Sequence, residues 1–92
     1  MTLMLHWSLD GVGSAGQQVD DVTAAVSALE HSVDQSRRAF DDVRAWESLR
    51  ASAQTVGSRM LSEGRAALER GQAWSLAEGG ITVRMHPDGP LP

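Results

Sequence analysis

The sequence predicts an all-α protein that folds as an antiparallel hairpin of two long helices, with the turn near residues 44–48. Small or apolar residues recur every three or four positions through the first half of the chain, and a similar stripe runs through the second half. The two stripes fall out of register beside Trp46, the mid-chain tryptophan. A reversal of the chain accounts for that slip better than a defect in one helix. We interpret the 92 residues, 1–92, as one small domain.

Residues 1–10 are predicted to form an N-terminal arm with a possible short strand at 2–9. Apolar residues alternate there with other residues at a period of two, which is typical of a strand with one buried face. The alternative is a frayed or helix-docked arm. The segment has neither the basic start nor the long apolar run of a cleavable signal peptide.

Helix 1 is predicted over residues 11–44. Asp10 is a possible N-cap, and Ser14 with Gln17 resembles a second start of the capping-box type. Nearby glycines weaken the first turns, so the helix could begin anywhere from Gly11 to Ala15. A helix of about 30 residues would be ~45 Å long. Its stripe predicts a helix-packing and dimer seam that continues into helix 2 and comprises Val19, Val22, Val26, Leu29, Val33, Phe40, Val43, Leu49, Val56 and Met60.

Residues 45–48 form the predicted turn and residues 48–78 the predicted helix 2. Glycines recur every seven residues in this segment, at Gly57, Gly64 and Gly71, and each costs roughly 1 kcal/mol relative to alanine inside a helix. We interpret them as notches that let the bulky face of helix 1 approach, and the alternative is a kinked or partly ordered helix. Two other arrangements stay open: a turn at Gly57-Ser58, or one continuous helix with a phase slip.

Residues 79–92 are predicted to be a C-terminal tail that begins where Gly79-Gly80 ends helix 2. Within the tail, residues 81–85 alternate as a possible short strand. In a hairpin, this strand and the one at 2–9 lie at the same end. They are therefore expected to pair as a two-stranded ribbon.

Composition and spacing argue against several functions. The formal net charge of -4 disfavours nucleic acid as a partner, and no apolar run approaches the ~20 residues of a membrane span. The chain has no cysteine, and its three histidines are too scattered for a metal site on a helix. Adjacent aspartates diverge by about 100° on a helix and cannot share a proton. We therefore predict no enzyme activity, no metal and no cofactor.

Two short motifs resemble those of the WXG-type proteins of type VII secretion systems, which are small helical hairpins. Trp46-Glu47-Ser48 stands where that family has its Trp-x-Gly turn, with Ser48 in place of glycine. Trp74 and Glu78 have the spacing of the export motif that follows the second helix in the family, with tryptophan in place of tyrosine. The opening from His6 to Gly13 also looks like that of some actinobacterial relatives.

This resemblance implies a homodimer or heterodimer of hairpins that forms a four-helix bundle and is read by a secretion ATPase. It also implies secretion without a cleavable signal peptide, with Trp46 and Ser48 at the interface and Trp74 and Glu78 as the export motif. The protein would then be a secretion substrate or a co-secreted partner. The alternative is a cytoplasmic dimerising protein, such as an adaptor, an antitoxin-like protein or a phage structural protein. Ordinary core packing is the competing interpretation of both tryptophans.

Overall fold

The computed structural model describes residues 2–88 and shows two pairs of strands on either side of a helical segment. The first pair is β1 (Thr2–Leu9) and β2 (Gly13–Val19), and the last pair is β3 (Trp74–Glu78) and β4 (Ile81–Asp88). Between them lie α1 (Val22–Gln35), a 3-10 turn (Ser36–Ala39), α2 (Val43–Arg59), a π-helical segment (Met60–Gly64) and α3 (Arg65–Glu69).

The four strands form one antiparallel sheet in the order β2-β1-β4-β3. The strands predicted at 2–9 and 81–85 are present as β1 and β4, and they pair with each other at the centre of the sheet, with Leu5 opposite Met85. Because each central strand also pairs with its neighbour in sequence, the sheet is wider than the ribbon that the sequence predicts. Residues 89–92 of the predicted tail, and Met1 of the arm, lie outside the described residues.

The core lies between the sheet and the helices. Every second residue of β1, and of β4 as far as Met85, points toward the helices and is buried, as a period of two requires. These residues are Leu3, Leu5, Trp7 and Leu9 of β1 and Ile81, Val83 and Met85 of β4. The helices cover only this face. None of the helices within residues 2–88 lies on the opposite face of the sheet, which we call the open face.

Aspartate N-caps start both long helices. The Asp21 carboxylate accepts a hydrogen bond from the Ala24 N–H at 2.8 Å, and the Asp42 carboxylate accepts one from the Arg44 N–H at 2.9 Å. Each cap satisfies one of the N–H groups that the first helical turn leaves without an intrahelical partner. The 3-10 turn and residues 40–42 reverse the chain, so α2 runs back along α1.

The predicted all-α hairpin is wrong, and so is the four-helix bundle that depended on it. Helix 1 does not run from 11 to 44, because its first part is strand β2 and its last part is the reversal. Gly11 and Gly13 have φ values of 75° and 149°, in the region that disfavours other residues. Gly11 lies in the turn between β1 and β2, and Gly13 begins β2. The spacing of Val12, Ala15 and Val19 fits a helical stripe only by coincidence.

Helix 2 does not extend to residue 78, since α3 ends at Glu69. Gly79 and Gly80, with φ values of 53° and 85°, are the two central residues of a tight hairpin between β3 and β4 rather than a helix stop. Residues 45–48 lie inside α2, so the reversal comes before Trp46 and not at it.

Two of the regularly spaced glycines do lie at close contacts. A Cβ atom on Gly57 would be 3.2 Å from Val26 Cγ1 of α1, and one on Gly64 would be 3.2 Å from the Trp74 ring. Gly64 therefore faces the sheet and not the other helix. Gly71 lies after α3, with a φ of 73°.

Candidate interaction surfaces

Strand β2 is an edge of the sheet, and its seven residues are exposed except for Val19. Ala15 and Gln17 point to the same side as the core residues of β1, since they pair with Trp7 and Leu5. They are exposed all the same, because the helical layer stops short of this strand. The sheet is therefore one strand wider than the helical layer that packs against it.

A groove runs between β2 and α1 as two open depressions of about 570 and 310 Å³ that share Ser32 and Gln35 in their walls. Its floor reaches the core at Trp7 and Leu9. The side of α1 that faces the groove carries Ala24, Ser27, Ala28, His31, Ser32 and Gln35. We call β2 together with this side of α1 the edge face.

The edge face carries almost no charge. Residues 13–19 include no acidic or basic side chain, and His31 is the one titratable group on the adjoining side of α1. Glu30 and Asp34 of α1 line a depression with Arg50 of α2 on the other side of the helix. Charged side chains border the edge face at the end of α1, where Asp34, Arg37 and Arg38 share a depression with His31 and Gln35. Asp20 lies only at one end of the groove.

Edge strands usually carry features that prevent pairing with another chain, such as lysine, proline, a bulge or a very short length. β2 has none of these, and its seven residues pair with β1 in continuous register. The opposite edge differs, because β3 has only five residues and ends at Glu78. The edge face was not predicted from the sequence, although Asp10-Gly11 after an alternating segment is a recognised hairpin signal.

Trp46 lies in the core between the helices, with 8% of its surface exposed. Its indole N–H donates a 2.9 Å hydrogen bond to the carbonyl oxygen of Val33. The guanidinium carbons of Arg37 and Arg50 lie 5.3 and 5.6 Å from the ring centroid, within cation–π range. The side chain therefore joins the end of α1 to the start of α2. Ser48 is exposed within α2.

Trp74 and Glu78 occupy the two ends of edge strand β3 and not a segment after a helix. Trp74 is partly buried against the core, and Glu78 is exposed opposite Ile81. Residues on one side of a strand are two positions apart, so Trp74 and Glu78, which are four apart, both lie on the side that faces the helices.

The predicted seam residues pack mainly inside the domain. Those that are buried in the core are Val19, Val22, Val26, Leu29, Val33, Leu49, Val56 and Met60. Phe40 is partly buried against them, and Val43 is 52% exposed. The sheet, and not a second pair of helices, covers most of this stripe.

Among residues 2–88, no three histidine or acidic side chains come together in a way that could hold a metal ion. Within the same residues, none of the helices has the length and apolar character needed to cross a membrane. No protein-family profile, curated protein or solved structure matches the chain.

Proposed function

We propose that this protein acts by association with other protein chains, and that its edge face binds the edge face of a second copy. The uncovered, uncharged and unprotected strand β2 supports this proposal more than any other feature. Antiparallel pairing of the two β2 strands would extend the four-stranded sheet into one of eight strands. The sequence predicts dimerisation through the helical seam instead, but most of that seam is already buried within one chain.

Charge favours a second copy over an unrelated acidic or basic partner. Each chain has a formal net charge of -4, which opposes self-association, and this repulsion is smallest when two copies meet at a neutral surface. The edge face is such a surface, because its strand has no charged residue. Like charges opposite one another across a strand pair would be destabilising, and none would meet there.

The lengths of the two elements also fit a symmetric interface. β2 would be ~24 Å long at about 3.4 Å per residue, and α1 ~21 Å long at 1.5 Å per residue. Because β2 and α1 have similar lengths and lie side by side, together they form one continuous contact surface. When two β2 strands pair about a two-fold axis, the two α1 helices come together above them and close the groove over Trp7 and Leu9.

The midpoint of β2 sets the pairing register. Gly16 is that midpoint, so full antiparallel pairing of the seven residues places Ala15 of one copy opposite Gln17 of the other. Both side chains are exposed in the single chain, and substitutions there should leave folding nearly unchanged.

We expect the double variant Ala15→Lys/Gln17→Lys to be monomeric where the parent protein dimerises, because it places lysine against lysine across the two-fold axis. Dissociation should become at least ~10-fold more favourable, which corresponds to about 1.4 kcal/mol. Sedimentation velocity over a range of protein concentrations measures this change. The matched control is Ala77→Lys, an exposed position on the other edge strand, which should leave the dimer intact.

A second variant tests the register itself. Ala15→Lys/Gln17→Glu places opposite charges against each other in a dimer centred on Gly16, and it should dimerise at least as well as the parent protein. A parent chain that stays monomeric at every concentration would refute the proposal. Equal effects of the substitutions on β2 and β3 would also refute it.

Export by a type VII system stays a prediction and is separate from self-association. Cell fractionation with an active secretion system tests it, with the variant Trp74→Ala/Glu78→Ala as the comparison. If the spacing of these two residues acts as an export signal, the parent chain should appear in the medium and the variant should remain in the cells.

A further inference from the structure

The open face of the sheet gathers basic side chains in a protein that is acidic overall. Strand pairing places His6 opposite Arg84, and Met4 opposite His86, so the three basic residues are neighbours on the two central strands. The imidazole rings of His6 and His86 are stacked, with centroids 5.6 Å apart and an angle of 15° between the planes. Arg84 is the one arginine among the eight that lies on the sheet.

Within residues 2–87, no strand residue on the same side of the sheet as this cluster is acidic. In the part of the chain that the structure describes, the one salt bridge is between Arg59 and Glu63 on the helical layer. The guanidinium of Arg84 has no protein partner among those residues.

Hydroxyl groups surround the cluster and complete a shallow depression of about 310 Å³. Ser8, Ser14 and Thr82 line it together with His6 and Arg84. Gly16, which pairs with His6, leaves the space that the imidazole occupies, since a Cβ atom there would lie 2.7 Å from His6 Nδ1. The imidazole therefore lies over Gly16 of β2, and Arg84 of β4 lines the same depression.

We propose that this depression binds a phosphate-type anion, with Arg84 and His6, which line it, as its main ligands and with the His86 ring stacked against His6. A guanidinium donates two parallel hydrogen bonds to such an oxyanion, and a protonated imidazole donates from either ring nitrogen. The surrounding hydroxyls of Ser8 and Thr82 can donate to its remaining oxygens. A bidentate guanidinium engages both oxygens of a carboxylate, whereas a tetrahedral phosphate has further oxygens that can contact groups on both central strands.

The His86 ring contributes in a defined way. Its Nδ1 lies 3.2 Å from the carbonyl oxygen of Pro87, so in the protonated ring Nδ1–H donates to that oxygen and Nε2–H remains available.

The test is a titration of the full chain with inorganic phosphate at mildly acidic pH, followed by NMR. We expect saturable shifts of the His6, Arg84 and His86 resonances. Arg84→Gln should weaken binding roughly tenfold or more, and His6→Gln several-fold, since each removes a charge-assisted hydrogen bond. Arg44→Gln, which removes the same charge from the exposed surface of α2, should change the affinity by less than about twofold.

Two further ligands distinguish the source of the anion. Phenyl phosphate should bind at least as well as inorganic phosphate if the natural ligand is a phosphate ester, and less well if it is the free ion. Either result supports the site. Acetate should bind more weakly and respond to Arg84→Gln but little to His6→Gln. The proposal is overturned if neither phosphate ligand gives saturable shifts, or if Arg44→Gln weakens binding as much as Arg84→Gln does.

Discussion

Replacing Trp46 with alanine should lower the free energy of unfolding by about 3–5 kcal/mol, as is usual when a large buried aromatic side chain is removed. The indole is 8% exposed and fills the junction between α1 and α2. Its loss also leaves the Val33 carbonyl oxygen without the indole N–H and removes two cation–π contacts. Domains of this kind have about 5–15 kcal/mol of stability in total, so this loss would remove a large part of it.

Urea denaturation followed by circular dichroism measures this change, and Trp46→Phe separates its causes. Phenylalanine keeps most of the apolar contact but cannot donate to Val33, so we expect a smaller loss of about 1–2 kcal/mol. Ser48→Ala, on the exposed side of the same helix, should change stability by less than about 0.5 kcal/mol. A Trp46→Ala protein as stable as the Ser48→Ala protein would show that the tryptophan does not join the two helices.

Replacing Leu5 with alanine should cost about 2–5 kcal/mol, because this fully buried side chain lies in the middle of a central strand. The effect separates the sheet from the predicted helical hairpin. In a hairpin, residue 5 would belong to a terminal arm and its truncation would cost little.

The neighbouring residue provides the control for that experiment. Met4 lies on the same strand but on the open face, where it is only partly buried. Met4→Ala should therefore cost less than about 1 kcal/mol. Thermal or urea unfolding of the two variants would contradict the sheet if both losses were small, or if the loss at Met4 exceeded the loss at Leu5.

Part of this fold could be predicted from the sequence. The alternation at 2–9 and 81–85 indicates the two central strands and their pairing, because a period of two over several residues is typical of a half-buried strand. The register slip near Trp46 indicates a reversal, and the chain does reverse a few residues earlier. The apolar stripe changes register at Trp46 because the packed face changes there. The helix itself begins at its N-cap residue, Asp42.

The outer strands were missed because their residues suit two structures. In β2, a small or apolar residue every three or four positions mimics a helical stripe, and helix propensity gives little contrast over seven residues. In β3, Trp74 and Leu76 alternate correctly, but five residues of this composition also fit the end of a long helix. The dipeptides Asp10-Gly11 and Gly79-Gly80 are the signals for tight hairpins at both places.

The interaction surfaces could not be found without the sheet. The edge face depends on which strand lies at the edge and on where the helical layer ends, and neither is visible in a linear pattern. The open-face cluster joins residues from opposite ends of the chain, His6 and Arg84, through one pairing register. Only the three-dimensional arrangement makes these residues neighbours.

Amide hydrogen exchange at low and high protein concentration tests most directly whether β2 pairs with a second copy. The amides of β2 that point away from β1 have no strand partner within residues 2–88 of a single chain, so they should become protected as the concentration rises. The outward amides of β3 should stay unprotected throughout. Exchange of β2 that does not depend on concentration, or equal protection of both edges, would contradict the proposed pairing.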